Sequence, residues 1–172
     1  TFGNGHMLGC TCAAPQRVAM FSHIRVSQLA SGITHVLIVS AEGAAYSYGG
    51  NFYGQLGLGN DTGAGANPGR DDSTYDATTP HRIDALRDVV ISSVAAAEGH
   101  SLFLSDYGDV YSCGRGIEGA LGHGTGPKGP WRRGDPLSDR ESRQQRTPLR
   151  IEALREMRAL AISAGGVGIV HS

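Results

Sequence analysis

His35-Val36-Leu37-Ile38-Val39-Ser40 and His100-Ser101-Leu102-Phe103-Leu104-Ser105 follow one pattern. Each begins with histidine, continues as a short and largely apolar run, and closes on serine. A run of this kind suits a strand buried on both faces. Three residues past each serine stands a glycine, Gly43 or Gly108, where a hairpin turn can use positive φ. A returning strand follows, with Tyr46-Ser47-Tyr48-Gly49 facing Tyr111-Ser112-Cys113-Gly114. Next come Gly54-Gln55-Leu56-Gly57-Leu58-Gly59 and Gly119-Ala120-Leu121-Gly122-His123-Gly124, too rich in glycine for a helix or a long strand. They read as compact turns.

The pattern extends upstream. Pro15-Gln16-Arg17-Val18 recurs as Pro80-His81-Arg82-Ile83 and again as Pro148-Leu149-Arg150-Ile151, at spacings of 65 and 68 residues. Twenty residues after each proline stand His35, His100 and, in the third copy, Gly168. Over the 45 positions from each of the first two prolines there are 15 identities and no gap. The chain divides into a repeat tail (1–14), a repeat (15–79), a second repeat (80–147) and a partial repeat (148–172). Leu86, Val89, Val90 and Val94 have a helical spacing, but β-branched residues inside a hairpin repeat predict a strand over this stretch. Hairpins are expected at about 35–40 with 44–49 and about 100–105 with 109–114.

Composition narrows the class. The 172 residues include 26 glycines, about twice the usual share of roughly 7%. A hydrophobic content of 40% supports a core, and a net charge of -1 argues against a polybasic nucleic-acid binder. Three cysteines form no disulfide framework, which favours an intracellular, reducing location. No apolar run approaches the roughly 18 residues of a membrane span. Short strands and glycine turns repeating every 65 residues or so suit a β-propeller, in which each blade is one small sheet. A WD-type propeller lacks its Trp-Asp pair here, and a kelch propeller its recurrent double glycine.

The motif residues resemble the repeats of regulator of chromosome condensation 1. The pattern stands as Ala30-Ser31-Gly32 to His35, then Gly43, Tyr46-Ser47-Tyr48-Gly49, Gly54 to Gly59, and Pro80. Tyr48 and Cys113 replace the usual tryptophan, and Gly168 replaces the third histidine. The resemblance implies an all-β fold, a partial propeller ring of about two and a half repeats. Seven such blades would need about 450 residues and four about 260, so the chain reads as part of a larger protein. His35, His100, Gly43, Gly108, Gly49, Gly114, Gly57 and Gly122 are the structural repeat positions. Buried between blades, the two imidazoles are expected to hydrogen-bond backbone groups through both nitrogens.

Two long segments interrupt the repeats. Residues 60–79 carry net charge -3 and residues 125–147 net +3. The second holds Trp131, the chain's single tryptophan, beside Arg132 and Arg133. Two readings stand: a solvated loop whose Trp covers a propeller edge, or a partner surface built from Lys128, Trp131, Arg132 and Arg133, since Arg and Trp are enriched at binding hot spots.

Reaction chemistry is not visible. Gly114-Arg115-Gly116-Ile117-Glu118-Gly119 fits a dinucleotide fingerprint, but no helix-forming sequence follows to hold a pyrophosphate. His6, Cys10 and Cys12 lack a fourth ligand and finger spacing, so no metal or other cofactor is expected. No nucleophile-base-acid set stands out. The residues leave three readings: a non-catalytic protein-interaction scaffold, a guanine-nucleotide exchange factor for a Ran-like small GTPase as the family's namesake implies, or the substrate-recruiting propeller of a larger enzyme such as a ubiquitin ligase. The expected partners are proteins met on the loop faces, a small GTPase or chromatin among them, with no small-molecule substrate.

Overall fold

The computed structural model describes residues 21–59, 76–116, 119–124 and 144–165. Among the described residues, eight strands form two four-stranded sheets, each a simple meander. The first sheet holds β1 (Val26–Ser31), β2 (His35–Ser40), β3 (Ala45–Gly50) and β4 (Asp76–Arg82). The second holds β5 (Ile91–Ala96), β6 (His100–Ser105), β7 (Val110–Arg115) and β8 (Gln144–Arg150). Every pairing is antiparallel, and the two expected hairpins are present as β2–β3 and β6–β7.

The sheets are copies down to their irregularities. A bulge interrupts β1–β2 between Val26 and Gln28, and another interrupts β5–β6 between Ile91 and Ser93. The bulged residues, Ser27 and Ser92, each turn their hydroxyl onto the carbonyls at the end of the neighbouring strand: Val39 and Ser40, or Leu104 and Ser105. Polar groups that the bulge leaves out of the ladder thus gain a partner. Ser47 Oγ donates to Leu56 O at 2.8 Å and Ser112 Oγ to Leu121 O at 2.7 Å, folding each glycine-rich loop back onto its strand.

Three boundaries differ from the sequence reading. Residues 76–79 and 144–147 are not loop: they open the outermost strands β4 and β8. Pro80 and Pro148 therefore sit in edge strands, where a missing N–H costs no ladder bond on the open side. The sheet is offset from the sequence repeat, since each proline begins one repeat and completes the previous sheet. The stretch from Leu86 to Val94 is not one strand. A 3-10 turn spans Asp84–Leu86, and β5 begins only at Ile91, where its N–H meets Gly43 O at 2.9 Å. The helical spacing reflects two separate reasons for burial: Leu86 is packed by the turn and Val94 by the strand.

One apolar core joins the sheets. Leu37, Val39 and Ala45 of the first sheet, with Ile83 and Leu86 of the β4–β5 connection, meet Ile91, Val94, Phe103 and Cys113 of the second sheet. Burying a side chain the size of Phe103 stabilises by roughly 1.5–3 kcal/mol. On the far side of the second sheet, Leu104, Val110 and Ile151 pack with Leu154, Ala159 and Ile162. The third copy starts in register: Ala159 N–H donates to Gly108 O at 3.1 Å, as Ile91 does to Gly43. Residues 158–165 then run on without a strand partner among the described residues. No helix among the described residues is long and apolar enough to cross a membrane.

Candidate functional site

The loops sort onto two ends of the stacked sheets. One end carries the β1–β2 and β5–β6 turns together with the long β3–β4 and β7–β8 connections. The other carries the tight β2–β3 and β6–β7 turns and the connections with the 3-10 turns. Gly43 and Gly108 stand in those tight turns, at φ of 80° and 91°. Gly49 and Gly114 stand near the ends of β3 and β7, at 100° and 105°, and Gly57 and Gly122 in the glycine loops, at 71° and 70°.

At the junction between sheets, His35 is fully buried and its Nε2 lies 2.9 Å from Ser101 Oγ. Ser101 Oγ in turn donates to Gln55 O at 2.6 Å. The serine proton is thus committed to a carbonyl, so the imidazole must supply the proton of the other bond and is the Nε2–H tautomer. Its Nδ1 is buried without a hydrogen-bond partner among the described residues. The sequence reading placed backbone groups on both nitrogens; the structure instead gives a side-chain hydroxyl on one. Burial, and then the neighbouring charge of His100, lower the His35 pKa to about 4, so the ring is neutral at physiological pH. His100 holds the equivalent place in the second sheet but is half-buried, and its ring meets no hydrogen-bond partner among the described residues. Cys113, in place of the aromatic residue, is fully buried, and burial raises its thiol pKa strongly. That thiol is a packing group, not a nucleophile.

The loop end holds a second cross-sheet cluster, missed in the sequence. Tyr53 packs against the β5–β6 turn of the second sheet, where a methyl at Gly99 would come within 2.8 Å of its ring. The Arg115 guanidinium stacks over that ring, 5.0 Å from its centroid, and lies 3.9 Å from the Glu98 carboxylate. Phe52 stands edge-on to Tyr53 and is about half exposed, at 51%. Tyr53 and Arg115 occupy different repeat positions, so aligning the copies could not pair them. Tyr53 is fixed in turn by its loop: its N–H donates to Gln55 Oε1 at 2.8 Å, and Leu56 N–H donates to Asn51 Oδ1 at 3.1 Å.

Lys128, Trp131, Arg132 and Arg133 lie outside the described residues, as do His6, Cys10 and Cys12. Arg146, counted in the basic segment, belongs to β8; residues 125–143 keep five basic residues against three acidic ones. Gly119 opens a tight turn and not an α-helix, so the glycine fingerprint has no dipole to offer a pyrophosphate. Among the described residues, no three His, Cys, Asp or Glu side chains gather as metal ligands would. Ser112 Oγ and His123 Nε2 are 2.9 Å apart, but the serine is fully buried and already donates to Leu121 O, so the pair is a structural bond.

Comparison with known proteins agrees with this geometry. The regulator of chromosome condensation (RCC1) repeat matches residues 42–104 and 107–167, more than half of the chain. Each match crosses from a β2–β3-type turn of one sheet toward the next, as the offset of repeat and sheet requires. Guanine nucleotide exchange factor SRM1 of Saccharomyces cerevisiae is 40% identical over 90 residues, covering 52% of this chain and 17% of that protein. E3 ubiquitin-protein ligase HERC2 of Mus musculus is 29% identical over 170 residues, covering 95% of this chain and 3% of that protein. The crystal structure of Prp20p from Saccharomyces cerevisiae, described with its binding to Gsp1p and histones, superposes with a TM-score of 0.61 at 27% identity. That match covers 83% of this chain and 30% of Prp20p. This chain spans less than a third of each of these proteins. It belongs to the regulator of chromosome condensation (RCC1) repeat family, and its two sheets are neighbouring blades of an RCC1-type β-propeller.

Proposed function

We propose that the chain is a non-catalytic protein-interaction module of a larger, intracellular RCC1-repeat protein, with its partner on the end that carries the β3–β4 and β7–β8 connections. The observation that carries this reading is the cross-blade cluster of Phe52, Tyr53 and Arg115 at that end. It combines an exposed aromatic ring with a guanidinium held in place by stacking, the residue types that dominate binding energy at interfaces. The basic segment 125–143 leaves from the same end. Lys128, Trp131, Arg132 and Arg133 extend the surface toward an acidic partner, a protein such as a small GTPase or a chromatin component.

A titration of the full-length protein with its partner tests the reading. Reversal of Arg132 and Arg133 to glutamate slows association and flattens its salt dependence, because rim charges act mainly on encounter. An unchanged association rate returns the segment to a solvated loop.

Two narrower readings have their own support. Similarity to SRM1 favours guanine-nucleotide exchange on a Ran-like small GTPase, and accelerated nucleotide release from such a GTPase by the full-length protein is its test. Similarity to HERC2 along nearly the whole chain favours a substrate-recruiting propeller in a ubiquitin ligase, tested by the presence of a catalytic domain in the flanking sequence.

A further inference from the structure

One contact between the two blades is not part of the repeat. Arg115 ends β7 and faces the first blade, as does Cys113 two residues earlier, whose Sγ donates to Gln55 O at 3.5 Å. There the Arg115 guanidinium lies 5.0 Å from the centroid of the Tyr53 ring. Gly50 stands at the place of Arg115 in the first copy, and Glu118 at the place of Tyr53 in the second. The stack is therefore an addition to the packing that the copies share. Both of the blades it joins are described.

Bare backbone makes room for it. A methyl at Gly99 would come within 2.8 Å of the Tyr53 ring and 3.4 Å of Arg115 Cβ, and Gly99 O accepts from Arg115 N–H at 2.8 Å. The guanidinium is thus held from one side, and less side-chain freedom is left to lose on binding. Its donors are in a different position. Glu98 Oε1 lies 3.9 Å from Nη1, beyond the roughly 3.2 Å of an N–H···O bond. Among the described residues these donors have no hydrogen-bond acceptor. The side chains of Arg115 and Glu98 remain 22% and 35% exposed. Arg115 is attracted by the carboxylate beside it but not satisfied by it.

We propose that Arg115 takes a single side-chain carboxylate of an acidic protein partner, which displaces Glu98 from it. The inference rests on the reading that this end meets the partner, and it names the chemistry of one contact there. Arginine presents parallel N–H donors that match the paired oxygens of a carboxylate or a phosphate. Glu98 decides between the two. A carboxylate brings one negative charge next to Glu98 and a phosphate about 1.5 to 2, so the resident acid disfavours the phosphate. Glu98 also sets the strength of the contact. It competes for Arg115 from within the chain, but from a distance too long for a strong pair, so an incoming carboxylate at hydrogen-bonding distance displaces it.

The test is a titration of the full-length protein, at constant ionic strength, with the peptide acetyl-Gly-Glu-Gly-amide. It is followed by nuclear magnetic resonance at the Gly99 amide, which borders the stack. The expected result is a saturable shift with half-saturation at about 10 mM, the scale of one charge-assisted contact. Arg115→Lys weakens binding at least about threefold, because an ammonium keeps the charge and loses the fork. Glu98→Gln tightens it at least about twofold by removing the internal competitor. With the protein untouched, the phosphoserine counterpart of the peptide binds at least about threefold more weakly. A Gly99 signal unmoved at about 50 mM peptide overturns the inference. So does equal affinity for the two peptides, wild-type affinity in Arg115→Lys, or no gain in Glu98→Gln. The titration is repeated with residues 128–140 deleted, where the Gly99 shift should persist. Its loss would assign the carboxylate to that segment, which overturns the role of Arg115 and leaves the partner at this end.

Discussion

Gly54 and Gly119 share a backbone φ of 78°, and Leu37 and Leu102 share a strand position, yet the first of each pair is covered and the second is less so. The two blades have the same turns, the same bulges and the same serine-to-loop bonds. They differ where a neighbouring blade supplies the contact. His35 meets Ser101, Gln28 Oε1 accepts from Val94 N–H at 2.7 Å, and Gly59 meets Arg146. The corresponding groups of the second blade have no such neighbour among the described residues. The repeat positions thus encode two separate things: a blade that forms by itself, and a set of side contacts that act only against the next blade. Asn51 and Gln55 sharpen the difference, since they pin the first glycine loop, and Gly116 and Ala120 stand in their places in the second.

The comparison can be broken by paired substitutions. Leu37→Ala deletes a fully buried side chain at the blade junction and lowers stability by about 3 kcal/mol, whereas Leu102→Ala, at the half-buried counterpart, costs about 1 kcal/mol. Chemical denaturation of both variants reads the difference; equal losses would mean that burial at this position does not depend on the neighbouring blade.

Acid separates the two histidines. His35 has its folded pKa lowered to about 4 against an ordinary 6.5, so the unfolded chain binds the proton first as pH falls. Its stabilising share is whole above about pH 6.5, drains between 6.5 and 4, and amounts to about 3 kcal/mol. Burial lowers the His100 pKa as well, in a less enclosed site. Denaturation midpoints measured from pH 7 to pH 4 should therefore fall steeply in the wild type and much less in His35→Gln, while His100→Gln keeps most of the slope. A slope unaffected by His35→Gln would remove the buried histidine from the account.

Gly54→Ala and Gly119→Ala are a matched pair. Both place a side chain at positive φ, which costs about 1 kcal/mol. Only Gly54 faces the backbone of Arg146, so its substitution should cost about 1–2 kcal/mol more. Thermal melts with the two variants side by side give the difference directly, and equal melts would mean that Arg146 of β8 does not lie against Gly54. The smallest effect is expected at Arg115→Ala, which removes a partly exposed stack on Tyr53 worth about 0.5–1 kcal/mol. Its interest lies in the partner assay, where it should act with Phe52→Ala.

Much of this fold was legible in the residues. The histidine-to-serine run, the turn glycines and the tyrosine-serine pair fell in register without a gap, and the hairpins formed where that register put them. The ends of the sheets were not legible. Pro80 marks the start of a sequence repeat but lies inside β4, because a proline is a prominent landmark and also an acceptable edge residue. Leu86 and Val94 looked like one element because both point into the same core. Of the junction, alignment of copies could find His35 but not Ser101, which stands opposite Val36 in the first copy. The same holds for Tyr53 and Arg115. Contacts between repeats join different repeat positions, and comparing like with like does not reveal them.

The functional claim is that one end of the propeller meets the partner. The opposite end is its fair rival, since Tyr107 and Met157 are exposed there, at 78% and 59%, beside Arg155 and Arg158. The direct measurement is partner affinity in the full-length protein for two variants, a deletion of residues 128–140 and the double reversal Arg155→Glu with Arg158→Glu. The account predicts that the deletion weakens binding by at least about tenfold and that the double reversal leaves it unchanged. Intact affinity after the deletion, with loss in the double reversal, would place the partner on the other end and contradict it.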